Sequence, residues 1–209
     1  MSFALVMLVV SSAAAPAPAD AYSVVDPRPM AKALDVVEHM CRCIITYEDP
    51  PYDAPDADDR RAFTFRLVSR RDQRDLQPTL QALVEAFERS GNPGRFRVYA
   101  AADGYRVGPQ DAAGSILQTR LATKAMRGTA LAAVTAFTKS LGAAARTDVA
   151  LGTMPSKLLE RSTARLGPQT APAEDILADI LRATGHKLSW RLNYDATRRR
   201  YVLNIHTVD

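Results

Sequence analysis

Apolar residues recur along this chain at two spacings, and the points where the spacing changes outline its elements. Met30, Leu34, Val37 and Cys41 are separated by four, three and four residues, with Lys32, Asp35 and Glu38 among them. That is the 3.6-residue period of an amphipathic helix. Pro27 and Pro29 mark its entry, so a helix is predicted over residues 29–39. Leu80, Leu83, Val84 and Phe87 form a second stripe, with Pro78 near its first turn and Gly91 after its last, the expected asymmetry of helix ends. A third helix is predicted over residues 129–141: Thr129 can cap it, and Ala130, Val134, Phe137 and Leu141 share a face ahead of Gly142. In the fourth, Pro172 stands at the start and Glu174 and Asp175 suit the positive end of the helix dipole. Ile176, Leu177, Ile180 and Leu181 then make the stripe before Gly185.

Between the helices the pattern becomes β-branched, aromatic or alternating, which predicts strands at residues 43–47, 63–68, 96–99 and 105–107. Asp103-Gly104 joins the last two as a hairpin. With an opening strand at 22–25, the first half reads β-α-β-β-α-β-β. Strands at 117–121, 148–151, 163–166, 188–192 and 201–205 give the second half the same order. Helix stripes offset by roughly one hundred residues mark an internal duplication. The expected fold class is therefore α+β: two tandem βαββαββ units, 22–109 and 116–209, joined by the Gly-containing polar stretch 108–115. Each is expected as a small mixed sheet covered by two helices. The same elements allow an alternative, one α/β domain with a six- or eight-stranded sheet.

Residues 3–10 are an apolar run followed by a small-residue stretch that ends in Ala19-Asp20-Ala21, an A-x-A cleavage pattern. Residues 1–21 thus read as a signal peptide, although Met1-Ser2 supplies no basic leader. The run is short of the about 20 apolar residues that cross a bilayer. A periplasmic or secreted location is expected, with no membrane span in the mature chain. The 209 residues carry 27 Lys and Arg against 23 Asp and Glu, a net charge of +4 that demands no acidic partner. Arg70-Arg71 and Arg198-Arg199-Arg200 read as solvated turns. Aromatic residues make up 7% of the chain with one Trp, too few for an extended base-stacking or sugar-binding platform.

The second-half run from Pro172 through Glu174, Ile176, Leu177, Ile180 and Leu181 to Thr184-Gly185, then Leu188-Ser189-Trp190-Arg191-Leu192, resembles the STN (secretin and TonB N-terminal) family of short periplasmic domains. Pro29 to Leu34 ahead of Ile44-Ile45-Thr46-Tyr47 is similar to that family's first helix and second strand. The resemblance implies a bacterial envelope location and non-catalytic contact with a partner envelope protein. It brings no catalytic residue.

Three local groups carry candidate chemistry. Tyr47, Glu48, Asp49 and Tyr52, in an acidic run broken by Pro50 and Pro51, are expected as an exposed loop and form the candidate partner-binding site. His39, Met40, Cys41 and Cys43 are soft donors suited to Cu(I) or zinc, which makes an exported metal-binding protein one alternative function. Pairing of the two cysteines, bridging to another chain and a reduced pair all stay open. Gly91-Asn92-Pro93-Gly94 matches the bare G-x-x-G of RNA-binding KH loops but follows a helix and precedes a strand, so a turn explains it better. A cytosolic nucleic-acid binder is the other alternative, and it gains only if the N-terminal run is not a signal. The three histidines, His39, His186 and His206, lie in no catalytic motif. No catalytic, cofactor or metal residue is assigned, and no nucleic-acid partner is expected.

Overall fold

Strand β1 (Ala19–Asp26) leads into helix α1 (Pro29–Cys41), where Pro29 occupies the first turn and buries against the core. The missing N–H of proline is no loss there. Met30, Leu34 and Val37 of the predicted stripe are buried together with Ala33, while Cys41 is half-buried, and the helix closes with Arg42 in the left-handed conformation, its N–H bonded to the Glu38 carbonyl. There follow β2 (Ile44–Glu48), β3 (Arg61–Val68), α2 (Gln77–Arg89) and the hairpin β4 (Phe96–Ala101) with β5 (Gly104–Pro109). These coordinates are a computed structural model, which describes residues 19–52, 61–68 and 75–208. The leader residues 1–18, the acidic run after Tyr52 and Arg70-Arg71 lie outside them.

The second half holds β6 (Arg120–Thr123), β7 (Met126–Thr129), α3 (Ala130–Ala145), β8 (Asp148–Leu151), α4 (Ser156–Arg161), β9 (Thr163–Leu166), β10 (Gln169–Pro172), α5 (Ala173–Arg182), β11 (Leu188–Asp195) and β12 (Arg200–Thr207). Thr129 caps α3 by accepting the Ala132 N–H, and Arg146 closes it in the left-handed conformation, as Arg42 closes α1. With those two caps aligned, buried Met30, Ala33, Leu34 and Val37 fall on buried Val134, Phe137, Thr138 and Leu141. Pairing corresponds too. β1 runs antiparallel to β3, as β6 and β7 do to β10 and β9. β2 lies parallel to β5 beside β4, as β8 lies parallel to β12 beside β11.

The architecture is thus α+β, with helices packed on mixed sheets. Two apolar cores fall within the two halves: one gathers Leu34, Phe65, Leu80, Phe87 and Val107, the other Val134, Phe137, Leu177, Trp190 and Leu203. The strands do not separate in the same way. β2 pairs with β11, so one six-stranded sheet runs β4-β5-β2-β11-β12-β8 across both halves, where two small sheets were expected. The stretch 108–115 is likewise no loose linker. Gly108 lies in β5 and Ser115 is buried against Glu48.

The halves enter this sheet in opposite senses. β4 runs antiparallel to β5, which is parallel to β2, whereas β11, the corresponding hairpin strand, runs parallel to β2. The second half is therefore flipped. Tyr47 points into the first core, and its ladder partner Arg191 shares that face, while Trp190 and Leu192 point to the other face and into the second core. Helices α1 and α2 cover one face in the first half, and α3 and α5 cover the opposite face in the second. Each half leaves a sheet face open, bordered by a helix of the other.

Candidate binding cleft

The larger of these open faces is a cleft of about 880 Å³. Its floor is the uncovered side of β2, β5 and β4, presenting Ile44, Thr46, Arg106 and Tyr99, and its wall is α5 with Glu174, Ala178 and Leu181. Apolar contacts come from both halves. Across the mouth, Arg182 at the end of α5 meets Asp103 in the β4–β5 turn at 2.8 Å.

Arg106 is the electrostatic centre of this cleft. It is 6% exposed, and its guanidinium lies flat over Gly108, where a Cβ would stand only 3.1 Å from its Nε. The Tyr99 ring lies 5.1 Å from it on the cleft side, near enough for a cation–π contact. Arg106 Nη2 donates to Glu48 Oε2 at 3.1 Å and to Ser115 Oγ at 3.0 Å, and Nη1 pairs with Glu174. Glu48 is fully buried and also accepts from Ser115 Oγ at 2.6 Å. Burial pushes its carboxyl up from the usual range, against the opposing pull of Ser115 and Arg106. Glu174, in the first turn of α5, is the partner of Arg106 that lines the cleft.

A smaller cleft, about 680 Å³, lies on the open face of the second half against α1. Here Arg191, 4% exposed, donates through Nη2 to Glu38 Oε2 at 2.9 Å and through Nη1 to the Ile45 carbonyl. Glu38 accepts the Ile45 N–H at 2.9 Å and touches His206 Nε2. Burial raises the Glu38 pKa, but the His206 contact and Arg191 outweigh it and hold the carboxyl below its ordinary value. Ser189 Oγ also donates to the Ile45 carbonyl, at 2.8 Å. Side chains thus supply the bonds for Ile45 where β2 and β11 draw apart.

The residues expected as an exposed partner-binding loop do not form one. Tyr47 and Glu48 belong to β2, a central strand, and with Asp49 they are buried, so the exposed-loop expectation is corrected. The prolines that suggested a loop only end the strand. Asp49 Oδ1 accepts from Tyr47 Oη and Oδ2 accepts the Tyr194 N–H at 2.9 Å, with Arg28 Nε at 3.7 Å. Tyr52 is half-buried with its ring edge-on to Tyr194. The four residues form part of the join between the halves. Cys41 and Cys43 form a disulfide, so two of the four soft donors of that group, the thiolates, are taken up, and His39 and Met40 stay.

Arg106, Glu174, Glu38 and Arg191 were not legible as a site. Each sits at a strand or helix position that reads as solvent-facing within its own half and is covered only when the other half arrives. Comparison with protein-family models, curated proteins and solved structures returned no match.

Proposed function

We propose that this chain is an exported, non-catalytic interaction module of the bacterial envelope, built from two STN-like repeats, which seats an apolar segment of a partner envelope protein in the larger cleft. The observation that carries this reading is the cleft itself. Its walls come from both halves, and on its lining Arg106 pairs with Glu174 and Arg182 with Asp103, leaving one further acid, Asp175, and one further base, Lys187, both exposed. Such a site suits burial of an apolar segment. An element order shared apart from α4, shared strand pairing and the matching caps at Arg42 and Arg146 support the repeat. The Cys41–Cys43 disulfide supports export, because such bonds persist in oxidising compartments. Cleavage after Ala21 would leave Tyr22 to Asp26 still paired with β3.

A photo-crosslinking residue at Ala178, on the cleft wall, tests the proposal in the native host, with Arg199, exposed in the β11–β12 turn, as control. The expected result is a discrete crosslinked species from the envelope fraction at Ala178 alone, on a chain beginning near Tyr22. Identical adducts at both positions, or a cytosolic chain retaining Met1, overturn it.

A further inference from the structure

Positive charge is unevenly spread along the chain. Between residues 112 and 172 stand eight Lys and Arg against two acidic residues, Asp148 and Glu160. This excess exceeds the +4 of the whole chain. Four of the eight, Arg120, Lys124, Arg127 and Arg165, lie on the ribbon that β6 and β7 make with β10 and β9. Its register is continuous: Thr123 faces Gln169 and Met126 faces Leu166, with a break only at Lys124-Ala125 opposite Gly167-Pro168. Proline has no N–H to give the ladder, and the break turns the ribbon. Leu121 and Ala164 point into the second core, while all four basic side chains are exposed.

Arg127 and Arg165 are direct cross-strand partners. Like charges placed opposite in an antiparallel pair destabilise it, and no carboxylate among the described residues pairs with either. The corresponding ribbon of the first half pairs no like charges, for Arg66 faces Ala21 and Arg61 faces Asp26, and Arg66 is the one basic residue among those whose exposure is described there, with Ala21, Ser23, Val25, Ala62 and Thr64. The repulsion is therefore particular to the second ribbon, and an external anion relieves it.

We propose that the outer face of this ribbon, centred on Arg127 and Arg165, docks on a surface of anionic phospholipid headgroups. The choice of lipid rests on the exported reading above, since phospholipid phosphate is the polyanion facing an envelope protein. The patch also fits it better than nucleic acid: the exposed ribbon residues include no aromatic side chain on which a base could stack. The four cationic side chains are all exposed on this one ribbon, a display of several charges that an anionic headgroup surface attracts.

Vesicle co-sedimentation of the full chain provides the test, comparing phosphatidylcholine alone with a mixture containing about 40% phosphatidylglycerol. Binding is expected to the anionic vesicles only, and to disappear near about 0.5 M salt. R127E/R165E should weaken it about tenfold or more, while R66E/R89E, which changes net charge equally on the first half, leaves it within about twofold. The single variant R127E places opposite charges across the ladder, so its Tm should rise by about 1–3 °C even as binding falls. That signature separates a binding surface from a structural one. Equal loss in both double variants, equal binding to neutral vesicles, or tighter binding to a single-stranded oligonucleotide than to anionic vesicles overturns the proposal. Vesicle binding that survives loss of the Ala178 crosslink leaves it standing without the cleft reading.

Discussion

Asp49 illustrates how a single buried acid makes the join between the halves sensitive to pH. Burial lifts its pKa to about 6, against the pull of Tyr47, the Tyr194 N–H and Arg28. In the unfolded chain an aspartate titrates near 3.9. Between those values the folded chain holds a proton that the unfolded chain lacks, so this group adds stability as pH falls from about 7 to about 4 and withdraws it as pH rises through about 6. The swing is on the order of 2–3 kcal/mol. Asp49→Asn keeps both contacts, with its carbonyl accepting the Tyr194 N–H and its amide donating to Tyr47 Oη. It is therefore expected to raise stability at neutral pH by about 1–2 kcal/mol and to flatten the slope between pH about 4 and 7. Urea midpoints across that range measure it, and an unchanged slope would refute the assignment. The sequence placed Asp49 in solvent because three carboxylates and two prolines crowd residues 48–53. Nothing local signals that β11 will cover the end of β2.

At the scale of elements, the four long helices were legible because each carries a stripe with a marked start, and apart from half-buried Cys41 their stripes bury as read. The short pieces were not. Helix α4 spans six residues and β7 and β10 four each, too few for a period to emerge, and Gly128 and Pro172 sit inside the strands. Residues 117–121 read as a strand, but Leu117 enters a 3-10 turn with its N–H directed at Glu48, and the strand starts only at Arg120. Helix ends also store a testable cost. Arg42 and Arg146 both hold φ at 53°, a conformation that costs an L side chain about 1 kcal/mol and that glycine adopts freely. Arg42→Gly and Arg146→Gly are each expected to raise the urea midpoint, by about 0.5–1 kcal/mol in stability. A fall in either would mean that the arginine side chain contributes more than its backbone strain.

Across the whole molecule, two cores are tied by one sheet and by two ion pairs that cross between the halves, Arg191 with Glu38 on α1 and Arg106 with Glu174 on α5. The wild-type chain should unfold in a single calorimetric transition. Arg191→Ala leaves Glu38 buried with less compensation and removes one of the two side-chain donors to the Ile45 carbonyl, so it is expected to cost about 3–5 kcal/mol. It should also split the transition into two, one for each core. A variant that still melts in one step at the parent temperature would show that the join lies elsewhere. Order of elements and core stripes were legible because they arise within each half, and the clefts were not because they arise from the flip. Matching positions of the two halves also meet different neighbours. Glu38 and Gly142 occupy the same turn before matching caps, yet one must reach Arg191, and a Cβ on the other would stand 2.8 Å from the Thr147 carbonyl. The two positions are thus not interchangeable: a side chain at residue 142 would press on the backbone of its own half, and a glycine at residue 38 would leave Arg191 without its buried carboxylate.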